Sequence, residues 1–222
     1  MARWFIGITT YLAVALLSVD HAHASLITNG DFETGDFTGW TLFVTQFGGI
    51  VAPAVVPFDT NGDLVTSFSG RFDVGQVGGP CGIGLPCPTQ GGGIFQSFAT
   101  GAGQLAIDLD IASQSGGNNA AGGLFTLFLD GAQVDSFNFG DIFVGTIERA
   151  HLTATPTVLA GFHELRIQIE RNAGIVDSFP GLHHYVDDVV VTGPAAVPEP
   201  STLLLLGAGL GAARLRFRRR KK

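Results

Sequence analysis

The 222-residue chain is 45% apolar and 14% charged and carries a net charge of −7. That length suits one sizeable domain with flanking segments, not two large domains. Between residues 25 and 200 only four basic residues, Arg71, Arg149, Arg166 and Arg171, stand against 18 acids; such a surface repels a polyphosphate backbone and argues against nucleic acid as a partner. The same stretch holds 28 glycines and 16 phenylalanines. Dense glycine disfavours helices and favours short strands joined by turns, and the phenylalanines supply a core that a disordered chain lacks.

In chain order, residues 1–24 read as a secretory signal peptide. Arg3 opens it, residues 4–19 are uncharged and mainly apolar, and Ala22-His23-Ala24 is the small-x-small pattern that signal peptidase requires. Cleavage is expected between Ala24 and Ser25, with a retained membrane anchor as the alternative.

Apolar alternation between turn residues then predicts strands over 26–28, 40–46, 64–68, 71–77, 94–98, 104–112, 124–129, 133–139, 147–154, 164–170 and 185–191. Leu105, Ile107, Leu109 and Ile111 share one face while Asp108 and Asp110 share the other, the pattern of a sheet with one dry side. Asp130-Gly131 between two apolar runs signals a hairpin. Residues 78–93 and 116–123 read as loops, and 194–200 as a linker. About ten strands without a helix predict an all-β fold, a β-sandwich, over residues 25–193.

Several residues suggest chemistry. Cys81 and Cys87 bracket five residues outside the reducing cytoplasm, which favours a disulfide over a thiol nucleophile or a metal pair. Asp59-Thr60-Asn61-Gly62-Asp63 has calcium-loop composition, but its glycine comes too early for an EF-hand and no glutamate follows at the required distance, so it reads as a turn. Trp40 and Tyr185 read as core or core-edge residues. A sugar-stacking platform would then fall to Phe47, Phe58, Phe72 or Phe179, although burial is their expected role. His183 and His184 point to opposite sides of a strand and read as surface residues. No nucleophile elbow, zinc-protease motif or phosphate loop is present, and no acid pair is singled out for glycoside hydrolysis.

Four segments resemble the galactose-binding-like jelly rolls that include several carbohydrate-binding module families. They are Leu26-Ile27-Thr28-Asn29-Gly30-Asp31-Phe32-Glu33 with Gly39-Trp40, Leu127-Phe128-Leu129-Asp130-Gly131, residues 160–167, and Tyr185-Val186-Asp187-Asp188-Val189-Val190-Val191. The resemblance implies a jelly-roll β-sandwich with a structural calcium (Ca2+). Its ligands would be the Glu33 side chain, the Asp31 carbonyl and either Asp187 or Asp188, because alternation sends the two aspartates to opposite faces.

At the other end, Val197-Pro198-Glu199-Pro200-Ser201 leads into an uncharged apolar run and then an arginine-rich terminus. Residues 200–213 would reach only about 21 Å as a helix, short of a hydrocarbon core of about 30 Å, but Leu215 and Phe217 extend the run past arginines that can snorkel. Residues 201–222 are therefore expected to form a short transmembrane helix with a basic cytoplasmic tail. The order of these features resembles the PEP-CTERM sorting signal of Gram-negative bacteria. It implies processing by an exosortase near Pro198, Glu199 and Pro200, and delivery to the envelope or to an extracellular polysaccharide matrix. The expected protein is exported, non-enzymatic and anchored in the inner membrane before processing. A lectin-like carbohydrate-binding module and a polysaccharide-degrading enzyme are the alternatives.

Overall fold

The computed structural model describes residues 24–77, 89–117, 120–172 and 182–194. Most of the expected signal peptide, the segment with Cys81 and Cys87, Phe179, and the tail with Pro198, Glu199 and Pro200 lie outside the described residues.

The strands are β1 (Thr41–Val44), β2 (Gly48–Phe58), β3 (Ser67–Gln76), β4 (Gln90–Thr100), β5 (Gly103–Gln104), β6 (Ala106–Ser115), β7 (Ala120–Ala121), β8 (Leu124–Leu129), β9 (Ala132–Asn138), β10 (Asp141–Ile142), β11 (Ile147–Ala154), β12 (Thr157–Val158), β13 (Gly161–Arg171) and β14 (Leu182–Thr192). Two antiparallel five-stranded sheets, ordered β1-β4-β13-β8-β9 and β11-β6-β14-β3-β2, pack face to face. Only β2–β3 and β8–β9 are hairpins within one of these sheets; other connections between the long strands cross to the opposite sheet, as in a jelly roll. Among the described residues there is no helix, hence none long and apolar enough to cross a membrane.

The expected alternation builds the core. Ile107, Leu109 and Ile111 on β6 face Leu165, Ile167 and Ile169 on β13, all essentially inaccessible to solvent. Asp130 and Gly131 have φ values of 51° and 78°, the left-handed pair that a two-residue type I′ hairpin demands, and they join β8 to β9.

Four expectations fail for identifiable reasons. Residues 26–28 form bends and a turn; Leu26 N–H donates to the Val191 carbonyl (2.7 Å), so the segment docks on β14 without entering a sheet. Residues 64–66 belong to a loop, and the strand starts at Ser67. The sequence pattern missed β2 because Pro53 and Pro57 interrupt it. Proline is tolerated there because β2 is an outer strand, with a bulge between Val51 and Ala54 and Ala52 at φ 44°. Gly91, Gly92 and Gly93, expected in a loop, lie in β4. A side chain at Gly91 or Gly93 would overlap the carbonyl oxygens of Ile169 or Ile167 on β13, so close strand approach is what requires glycine.

Candidate functional site

The segment before β1 is built around a buried ring. Phe32 is fully buried, stacks on Trp40 (centroids 6.0 Å apart, planes at 19°) and meets the edge of Phe37 at 5.9 Å. Asn29 organises the turn: its side-chain amide donates to the carbonyls of Asp36 (2.9 Å) and Thr38 (3.2 Å), and its main-chain carbonyl accepts from Trp40 Nε1 (2.9 Å). Buried Gln96 closes the segment onto β4 through two bonds to the Thr28 main chain, at 2.7 and 2.9 Å. Trp40 is therefore a core residue, as expected. Asp31 and Glu33 flank Phe32 and are both exposed.

This turn is pressed against an irregularity in β14. Register with β6 runs Asp187 to Asp110 and then Val190 to Asp108, and the bulge between them carries Asp188 at φ 49°. Val189 N–H donates to the Gly30 carbonyl (2.9 Å), and any side chain at Gly30 would overlap the Val189 carbonyl. Glycine at position 30 is thus what lets the Asp31–Glu33 turn reach the bulge. Strict alternation, used to send Asp187 and Asp188 to opposite faces, does not hold across such an insertion.

The two aspartates differ sharply. Asp187 is buried, with Oδ2 accepting from the Ser67 (2.6 Å) and Ser69 (2.9 Å) hydroxyls and Oδ1 from Asp188 N–H (2.8 Å). Burial pushes its carboxyl up to about 6, against the lowering pull of these donors. Asp188 is exposed; partial desolvation raises its pKa first, and the carboxylates of Asp110, Asp31, Asp63 and Glu33 raise it further. Glu33 Oε1 accepts from Phe68 N–H (3.0 Å), which fixes that side chain at the start of β3.

Asp63 and Asp110 are members of this acidic centre that the sequence reading did not include. Residues 59–63 form a turn, as expected, held by Asp59 Oδ1 accepting from Gly62 N–H (2.6 Å) and Asn61 Oδ1 from Asp63 N–H (3.0 Å). The loop leans across the sheet, where Arg149 Nε donates to the Asp59 carbonyl (3.0 Å). Asp110 could have been found from its alternation partner Asp108. The neighbouring cations are already engaged: His151 bridges Asp110 (2.8 Å) and Asp108 (2.9 Å), and hydrogen bonds to those two carboxylates raise its pKa. Among the described residues no ion pair neutralises Asp31, Glu33, Asp63 or Asp188, and no three His, Cys, Asp or Glu side chains converge as ligands of one metal ion.

The other singled-out residues scatter. Phe72 is fully buried, and half-buried Phe58 has one ring face stacked flat on buried Tyr185 at 3.6 Å; Phe47 is partly exposed. His183 pairs with Asp73 at 2.6 Å on the outer face. His184, expected at the surface, is completely buried with Nδ1 on the Phe72 carbonyl (3.1 Å), and burial lowers its pKa to about 3. Ala24 and Ser25 are exposed, and Ser25 Oγ accepts from Ile27 and Val191 N–H (3.2 and 3.3 Å).

Residues 196–221 match the family model described as the PEP-CTERM protein-sorting motif. The chain therefore carries the sorting motif of secreted proteins that are anchored by the C-terminus before processing. No curated protein matches the chain. Among solved structures it is similar to TmCBM61 in complex with beta-1,4-galactotriose (15% identity, 75% of this chain and 97% of that one, TM-score 0.45). It is also similar to the enzymatically active domain of bacteriophage CBA120 tailspike protein 4 (17%, 76% of this chain but only 21% of that one, TM-score 0.44). A third is the carbohydrate-binding module CBM36 in complex with calcium and xylotriose (15%, 68% and 99%, TM-score 0.33).

Proposed function

We propose that this protein is an exported, non-enzymatic jelly-roll component of the cell envelope or of an extracellular polysaccharide matrix, sorted by an exosortase that acts near Pro198, Glu199 and Pro200. The observation that carries this reading is the sorting motif at residues 196–221, which begins two residues after Pro194, where the described sandwich ends. Two prolines beside Glu199 disfavour helix and keep the segment extended for a membrane protease. Ser25, the expected first residue after leader removal, is already bonded to β14, so cleavage at Ala24 would leave the sandwich intact. Deleting residues 197–222 tests the reading: the truncated chain should still be exported but should disappear from the envelope fraction. An unchanged envelope distribution would refute it.

We propose further that a structural calcium binds at the acidic centre. The reading is supported by the carboxylates of Asp110, Asp31, Asp63 and Glu33, whose charges raise the Asp188 pKa, and by the preference of calcium for oxygen donors, water and main-chain carbonyls included. Only two side chains are needed, Glu33 and Asp188, together with the Asp31 carbonyl. Asp187 serves instead as the buried acceptor that ties β14 to Ser67 and Ser69. Calcium bound there would join the Asp31–Glu33 turn to β14. The test is thermal melting with and without millimolar calcium, in the wild type and in Glu33→Gln. A wild-type midpoint that does not move would remove the site.

A second reading, binding of a neutral glycan, is favoured by the solvent side of the other sheet. Phe95, Arg166 and Phe128 are cross-strand neighbours there, opposite the buried Leu165 and Ile167. The Arg166 guanidinium sits 4.6 Å from the Phe43 ring centroid and pairs with Glu164 at 2.9 Å, which leaves an aromatic surface of low net charge. A glycan array with wild type and Phe128→Ala distinguishes this reading, since binding by the variant equal to wild type would exclude that face.

A further inference from the structure

An open sheet edge invites another strand, and folded proteins block such edges with proline, charge, bulges or cover. The two large sheets have four outer strands, β1, β9, β11 and β2. Three of them are blocked. Pro53, Pro57 and a bulge interrupt β2. The edges of β9 and β11 close on each other: Asp135 Oδ2 on β9 accepts from Thr153 N–H on β11 (2.9 Å), and β11 carries Glu148, Arg149 and His151. Strand β1, Thr41-Leu42-Phe43-Val44, has none of these devices.

The free groups on β1 can be named. Thr45 N–H donates to the Gly91 carbonyl (3.0 Å), one step beyond the pairing of Val44 with Gly92. In an antiparallel ladder such bonds recur at every second residue, so Phe43 and Thr41 also bond to β4. The N–H and C=O of Leu42 and Val44 therefore point away from β4, and among the described residues nothing else pairs with them. Their side chains lie on the face of Ile94 and Gly92, yet Leu42 is 41% and Val44 56% exposed, because the opposite sheet does not reach under β1.

Charge identifies the partner. Residues 39–58 and 89–107 contain no Asp, Glu, Lys or Arg, so β1, β2 and β4 make an uncharged flank on a domain whose other surfaces carry a large excess of acids. Two copies of so acidic a domain repel one another in most orientations. Approach through this flank keeps their carboxylates apart. The edge is also self-complementary, since its free groups are placed symmetrically about Phe43.

We propose that two copies of the chain pair antiparallel through β1, about a two-fold axis at Phe43, and join their sheets into one of ten strands. Leu42 of each copy lies opposite Val44 of the other, and the free main-chain groups of both residues are satisfied across the axis. Phe43 faces Phe43 of the second copy on the solvent side, and the exposed Leu42 and Val44 side chains are covered on the other. This pairing is independent of the sorting role of the tail.

The test uses the full chain in detergent. In a background of Cys81→Ser and Cys87→Ser, Phe43→Cys should give a disulfide-linked dimer on mild oxidation, because directly opposed residues of a non-hydrogen-bonded pair have Cα atoms about 4.5 Å apart, within disulfide reach. Ser136→Cys, exposed on β9, should stay monomeric in the same background. Light scattering at submillimolar protein should give wild type twice the mass of one chain and Val44→Lys the mass of one. Circular dichroism of Val44→Lys should match wild type, because that side chain is exposed and the Val44 N–H takes no part in the ladder with β4. Wild type at single-chain mass, a dimer that survives Val44→Lys, or equal crosslinking of Phe43→Cys and Ser136→Cys would each overturn the proposal.

Discussion

Asp187 offers a sharp test of the geometry at the β14 bulge. Its carboxyl is pushed from 3.8 up to about 6 by burial, even though three donors surround it. A folded-state pKa above the unfolded one means that the folded protein holds the proton more tightly. The associated stability is complete below pH 3.8 and is lost as the pH rises through about 6. A shift of about two units corresponds to about 3 kcal/mol, reduced to roughly 2 kcal/mol once residual solvent screening is allowed for. Asp187→Asn keeps an oxygen for Asp188 N–H, and the Ser67 and Ser69 hydroxyls can rotate to accept from the new amide. Without divalent cations, the variant should therefore be more stable than wild type by about 2 kcal/mol at pH 7, with no advantage at pH 3.5. Urea unfolding of both proteins at the two pH values, in chelator, measures this difference. A variant destabilised equally at both would show that Asp187 is not a buried anion lacking compensation.

Other outcomes follow from the same contacts. Gly30→Ala forces the Asp31–Glu33 turn away from Val189 and should cost on the order of 1–3 kcal/mol in chemical unfolding, with loss of any calcium-induced rise in melting temperature. Phe32→Ala empties the site between Trp40 and Phe37 and should cost about 3–5 kcal/mol by the same assay. His184 titrates in the opposite sense to Asp187: its folded pKa of about 3 lies below the unfolded value, so stability is lost as the pH falls from 6.5 toward 3. His184→Gln should flatten that acid limb of the stability curve. For the calcium centre, a concentration one hundred times the dissociation constant should add about 2.7 kcal/mol to wild type and much less to Glu33→Gln, read by calorimetry.

Much of the fold could be read from the chain because its strands are half-buried. Where one face is dry, period-two alternation is visible, as on β6 and β13, and Asp130-Gly131 marks its hairpin without ambiguity. Alternation failed where backbone proximity replaced side-chain burial as the governing constraint. Gly91–Gly93 resemble a loop until the carbonyls of β13 are placed beside them, and β2 is hidden by prolines that only an outer strand accepts. At the site, Asp31, Glu33, Asp187 and Asp188 are neighbours because the Asn-Gly-Asp-Phe-Glu turn docks on the last strand, a long-range contact that only the motif resemblance suggested. The contribution of Asp63 depends on how a loop leans, and the division of labour between Asp187 and Asp188 depends on a bulge; neither is encoded in residue spacing. Alternation placed His183 and His184 on opposite faces without saying which faced inward; His184 is the one that packs on Phe125 of the opposite sheet.

The central proposal is topological: that both ends of the chain are processed and that the sandwich resides beyond the cytoplasmic membrane. Intact-mass measurement of the protein recovered from its native envelope tests this most directly. The account predicts a polypeptide that starts at Ser25 and ends near Pro198–Pro200, without the arginine-rich terminus. Recovery of a chain that still begins at Met1 or runs through to Lys222 would contradict it.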